Sequence, residues 1–206
     1  MEKSIVVAVT GGIGTGKSTV AKFIRESDFP VISSDDNARK IMLEDTEVKS
    51  KIIDYFGNES YNEDGTVNSK FLASKVFGGD KQSEENLKKL NSIVHPVVIQ
   101  KLIDDVEEME KSGENLIFVE SALTFEANLE DGFDYIIVVD CDEELVIKRV
   151  MERSKMSKNE VKSRMKQQIS NQYKKEQADF VIENDGDLND LKNSTEMILN
   201  IIKAST

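Results

Sequence analysis

Nine residues near the start of the chain, "GGIGTGKST" from Gly11 to Thr19, have the types and spacing of a phosphate-holding site. Gly11-x-x-x-x-Gly16-Lys17-Ser18 follows the apolar run "SIVVAVT" and opens the amphipathic stretch "VAKFIRES", a strand–turn–helix setting. Gly12, Gly14 and Gly16 let successive backbone N–H groups, those of Thr15 and Thr19 among them, converge on phosphate oxygens without side chains in the way. The helix N-terminus behind them adds its dipole. Lys17 supplies a cation for the outer phosphates, and Ser18 offers a hydroxyl to Mg2+. The pattern predicts a bound nucleoside triphosphate with magnesium. A bare glycine-rich turn accounts for the glycines but not for the lysine, the hydroxyl and both flanking elements together.

Three kinds of protein use such a loop. A guanine-nucleotide switch carries an Asn-Lys-x-Asp motif, which this sequence lacks. A nucleotide-driven motor needs paired acids at a strand end, where "LIFVES" offers Glu120 alone. Glu120 could act through a magnesium-bound water or be an ordinary polar strand end, and both readings stand. A small-molecule kinase needs a carboxylate to orient the acceptor hydroxyl and mobile cations to close over the phosphates. "VISSDD" puts Asp35 and Asp36 just past a short strand, at the sheet edge where open α/β folds bind ligands. One can work on the acceptor while the other caps the next helix. Between Lys148 and Glu176 lie ten basic and three acidic residues, a net +7 on a chain of −12. Arg149, Arg153 and Arg164 are its candidates for phosphate, since guanidinium forks bind oxygens in pairs. The alternative is a solvated helix face.

These residues need a scaffold. "SIVVAV", "PVIS", "NLIFVE", "YIIVVD" and "DFVIEN" read as buried strands alternating with helical stretches, which predicts an α/β, doubly wound, five-stranded parallel sheet. Core segments 1–56 and 114–206 flank a helical insertion at about 57–113, and a lid spans about 148–176. Within the insertion the spacing predicts two helices separated by His95-Pro96, with Phe71 and Phe77 as core. Asp142 is a cap for the helix after the fourth strand, and Ser157 with Glu160 makes a capping-box pattern. With 206 residues, 38% apolar and 32% charged, the chain suits one globular domain. The net charge of −12 argues against nucleic acid, and no run is long enough to span a bilayer. Lone Cys141 and lone His95 exclude a disulfide within the chain and multi-histidine or cysteine metal sites. With no leader-like start and a lone cysteine, the expectation is a cytoplasmic protein; a monomer is expected, with an oligomer left open.

Along nearly its whole length the sequence resembles the dephospho-CoA kinases. "VTGGIGTGKSTVAKF" is similar to their opening strand and loop, "VISSDDNAR" to their V-I-D-A-D-x-x-A-R element and "IVHPVV" to their His-Pro element. "FVESALTFEANLEDGFDYIIVVD", "VIKRVMERSKMSKNEVKSRMKQQ" and "ADFVIENDG" follow in the family's order. The resemblance implies a nucleotide-binding core with a CoA-binding helical subdomain and a lid. It also implies transfer of the ATP γ-phosphate to the ribose 3′-hydroxyl of dephospho-CoA, with Mg2+. On it, Asp35 is the base, Lys17 and Arg149 join it in catalysis, and Arg39, His95 and Glu126 belong to the acceptor side. Arg149, Arg153 and Asn184 join the loop in binding ATP. For His95 a structural corner is the favoured alternative, and for Asn184 a role in filling the turn. Ser33 stands where the family has its first aspartate, and "SALTFE" lacks the proline and one leucine of its acidic segment.

Overall fold

The computed structural model describes residues 4–204. Strand β1 (Ile5–Thr10) is almost wholly buried, as a continuous apolar run demands. The loop follows, then α1 (Lys17–Glu26), β2 (Val31–Ser33), α2 (Ser34–Glu44) and α3 (Thr46–Phe56). Next come α4 (Ser69–Val76), α5 (Lys81–Lys111), β3 (Leu116–Glu120) and β4 (Tyr135–Asp140). The chain ends with α6 (Glu143–Ser154), α7 (Lys158–Lys166), α8 (Asn171–Glu176), β5 (Phe180–Glu183) and α9 (Leu188–Lys203).

The five strands form one parallel sheet in the order β2-β3-β1-β4-β5. β1 lies between β3 and β4, so the loop at its C-terminal end emerges where neighbouring connections diverge. That crevice is where such sheets bind ligands. Among the described residues the sheet, with 4–34 and 105–204, makes one compact unit, and Asp35–Asp104 makes a second.

In the first unit, alternate strand residues divide between two faces. Val7, Val9, Phe118, Ile137, Val139 and Ile182 pack with Val20 and Ile24 of α1 and with Leu191, Ile198, Leu199 and Ile202 of α9. Each such side chain, fully buried, stabilises the fold by about 1.5–3 kcal/mol. On the other parity Ala8, Ile136 and Val138 pack with Phe125, and Ile169 and Ala178 lie against them. Val146, Ile147 and Val150 of α6 meet Val161 of α7, with Ile13 of the loop packed on that cluster. The lid region and the loop therefore share a small core.

The second unit holds α2, α3, α4 and most of α5. Asp45 ends the run between α2 and α3 by accepting the amides of Glu47 and Val48. The Tyr61 hydroxyl donates to the Met42 carbonyl at 2.7 Å, and a bridge from Tyr61 to Val67 closes the polar loop. Phe71 and Phe77 are half-buried. The His95-Pro96 junction does not separate two helices: α5 runs unbroken from Lys81 to Lys111 with Pro96 inside. Proline removes one N–H and crowds one carbonyl, a cost of roughly 3 kcal/mol. The buried stripe Val94, Val98 and Leu102 keeps helical spacing through the junction, and its burial outweighs that cost. Among the described residues, no helix is long and apolar enough to cross a membrane.

Candidate phosphate-binding site

Most helices of this chain begin with a side chain capping the first amides: Asp45, Asn68, Asp142, Ser157, Ser170 and Asp187 each do so. α1 does not. Its N-cap is Gly16, at φ 106° in the left-handed region, with no side-chain cap and no acid in the first turn. Among the described residues the amides of Gly14, Gly16 and Ser18 meet no protein acceptor. Unpaired helix-start amides with their dipole form an anion site. A Cβ at Gly16 would run into Asn184 Nδ2, so the close approach requires glycine as well as the torsion.

The loop closes on itself around the Gly12 carbonyl. That oxygen accepts the Thr15 hydroxyl at 3.0 Å and Lys17 Nζ at 2.8 Å. Lys17 and Thr15 are buried, and Thr19 is half-buried with its amide on the Gly16 carbonyl at 2.9 Å. Ser18 donates its hydroxyl to Glu120 Oε1 at 2.6 Å, joining the start of α1 to the end of β3. Asn184, just past β5, is buried and donates to the Thr15 carbonyl at 2.7 Å. Its own carbonyl accepts Arg149 Nη1 at 2.9 Å, and the same nitrogen approaches Cys141 Sγ at 3.2 Å. Burial pushes the Cys141 thiol up to about 11, with Arg149 opposing. Arg153 is exposed near the end of α6. Desolvation lowers the pKa of half-buried Arg164, against the pull of Glu160.

The basic segment is less cationic than its sequence suggests. Lys158 and Lys162 pair with Glu144 and Glu143 at 3.1 and 3.3 Å. Lys175 meets Asp140 at 2.6 Å, which raises its pKa. Lys174, with its side chain 0% exposed, pairs with Glu126 at 2.7 Å. All four acids lie outside the segment, so its net +7 becomes +3 where it folds. Glu126 Oε1 also accepts the Ile169 amide at 3.2 Å, while its buried Oε2 has no donor among the described residues. Asn171 Nδ2 donates to Asp140 Oδ1 at 2.9 Å. Spacing along the chain gave no signal for Asp140, Lys174 or Gln168, whose partners stand 31, 48 and 155 residues away.

In the second unit Asp35 and Asp36 both occupy the first turn of α2 and are exposed. Asp36 pairs with Arg39 at 2.8 Å, and Asp35 makes no such pair among the described residues. His95 is half-buried inside α5.

A profile of the dephospho-CoA kinase family matches residues 5–190. The dephospho-CoA kinase of Listeria innocua is 37% identical over 182 residues, covering 88% of this chain and 89% of that one. A crystal structure from Thermus thermophilus superposes with a TM-score of 0.76 at 32% identity, covering 97% of this chain and 98% of that one. A shikimate kinase from Acinetobacter baumannii, at 15% identity and a TM-score of 0.56 over 100% of this chain and 96% of that one, shares the fold alone.

Proposed function

The chain belongs to the dephospho-CoA kinase family, whose members catalyse the final, ATP-dependent step of coenzyme A biosynthesis, and from that premise we propose how its residues divide the reaction. The observation that carries the assignment is the uncapped start of α1, with a buried lysine and a hydroxyl–carboxylate pair beside it. ATP phosphates take the open amides of the Gly12–Thr19 loop, those of Gly14, Gly16 and Ser18 among them. Lys17 leaves the Gly12 carbonyl for the outer phosphates, a compact charge moving from a dipole to an anion. Arg149 and Arg153 approach the nucleotide from α6, and Asn184 holds the loop by its Thr15 carbonyl. Asp35 orients the ribose 3′-hydroxyl of dephospho-CoA and takes its proton late, because the transition state is loose. Arg39, His95 and Glu126 serve the acceptor side.

Ser18 would hold Mg2+ through its hydroxyl, with Glu120 reaching it through a bound water: both are hard oxygen donors and lie 2.6 Å apart. Bound there, magnesium neutralises charge on the outer phosphates. The helical segment 57–113 forms the acceptor's subdomain, the lid lies within 148–176, and the enzyme works in the cytoplasm. A coupled assay of ADP release, run with and without dephospho-CoA, tests this reading. Release should depend on the acceptor and prefer ATP to GTP. Equal release without acceptor would leave an ATPase, and preference for GTP would leave a switch.

A further inference from the structure

One contact to the loop has no part in the chemistry above. Gln168, between α7 and α8, accepts the Ile13 amide on its side-chain oxygen at 2.8 Å. That amide belongs to the Gly12–Ile13 peptide, whose carbonyl takes the Thr15 hydroxyl and the Lys17 ammonium. Both ends of one peptide plane are therefore held, the N–H end by Gln168. Flipping this plane would move the carbonyl off Thr15 and Lys17. Next to Gly12 little but hydrogen bonding resists such a flip.

Gln168 can act as a brace only if it is itself fixed, and it is. Ile169, its neighbour, donates its amide to Glu126, and buried Lys174 pairs with the same oxygen at 2.7 Å. Asn171 and Lys175 take one oxygen each of Asp140 at the end of β4. Asn171 also fills the space a Cβ at Gly12 would need. The stretch from Gln168 to Lys175 is thus built into the sheet's C-terminal edge.

We propose that Gln168 is a positioning residue for ATP: it locks the Gly12–Ile13 peptide so that the Gly12 carbonyl stays turned toward Thr15 and the later amides stay turned toward the phosphates. The proposal deepens the assignment of the loop as the nucleotide site and rests on it. A locked plane raises the fraction of loops ready to bind, so its loss weakens ATP binding rather than the transfer step.

Two variants of the full-length enzyme test it. Gln168→Met keeps length and loses the acceptor, and Gln168→Glu keeps an oxygen at the same reach. Without any ligand, exchange of the Ile13 amide should speed up at least about tenfold in Gln168→Met and return toward wild type in Gln168→Glu, as expected for losing and restoring one hydrogen bond. With substrates, Gln168→Met should raise the KM for ATP about tenfold while kcat falls less than threefold and the KM for dephospho-CoA holds. Unchanged Ile13 exchange in Gln168→Met overturns the brace, whatever the loop binds. Faster exchange with an unchanged KM for ATP overturns its role in nucleotide binding. A fall in kcat at constant KM for ATP would instead place Gln168 in the transfer step and also overturn the proposal. Loss of ATP binding in Lys17→Met tests the underlying site separately.

Discussion

Two adjacent aspartates in the first turn of a helix meet the same dipole, and their neighbours decide what each is left to do. Asp36 is already joined to Arg39 three residues on, an exposed pair worth little, while Asp35 makes no such pair among the described residues. Asparagine at Asp35 keeps the shape but cannot accept the acceptor's proton. Asp35→Asn should lower turnover by ~10²- to 10⁴-fold with ATP affinity nearly intact. Asp36→Asn should cost little turnover and about 0.3–1 kcal/mol of stability, from a helix-end charge. Steady-state rates and ATP titrations of both variants check this, and an inactive Asp36→Asn would put the base one residue later. Lys17 acts through its charge. It has a fixed place in the loop and a carbonyl to rest on, so Lys17→Met should fold normally yet lose at least ~10²-fold in turnover. A circular dichroism spectrum beside a rate assay separates the two effects. The loop residues were legible because their chemistry is local and their spacing rigid. The pairing of Glu126 with Lys174 was not, since the two lie 48 residues apart and no pattern joins them.

At the scale of elements, the sequence misleads where a local rule competes with packing. Pro96 reads as a boundary, yet a buried stripe on both sides carries α5 through it. The strands, by contrast, were plain: a parallel sheet covered on both faces needs continuous apolar runs, and β3 is buried at every position. Caps at Asp142 and the Ser157–Glu160 box were equally readable, being contacts within four residues. The basic segment reads in sequence as a cationic lid, with a solvated helix face as the alternative, because only charges inside it are counted. In the structure its tethers are uneven. Residues 168–175 are tied by Glu126 and Asp140, whereas α7 is joined to α6 by exposed lysine pairs and a small apolar cluster. Hydrogen exchange should therefore slow on joint binding of ATP and dephospho-CoA mainly across residues 155–167. Residues 168–175 should be protected already in the free enzyme. Equal gains of protection along the whole of 148–176 would mean that the lid moves as one piece.

For the molecule as a whole, the alkaline limb of stability follows from groups whose pKa values are raised by folding. The Cys141 thiol is buried beside the end of β4 and pushed up to about 11 from 9.0, and Lys175 is raised by Asp140. In both cases the folded state holds its proton more tightly than the unfolded chain does. Stability contributed this way is fully present below the unfolded pKa and is lost as pH rises through the folded one. For Cys141 the loss begins near pH 9 and levels off near pH 11, and two pKa units correspond to about 2–3 kcal/mol. Lys175 adds to it only above about 10.5, its ordinary value. Urea unfolding of the wild type from pH 8 to 11 should show this decline. Cys141→Ala starts lower, because burying fewer atoms costs about 1 kcal/mol, but should fall about 2 kcal/mol less over the same range. Parallel curves for the two proteins would mean that the thiol is not held neutral. The same thiol, with about a hundredfold less thiolate at pH 8 than an unshifted cysteine, should react with disulfide reagents only as the chain unfolds.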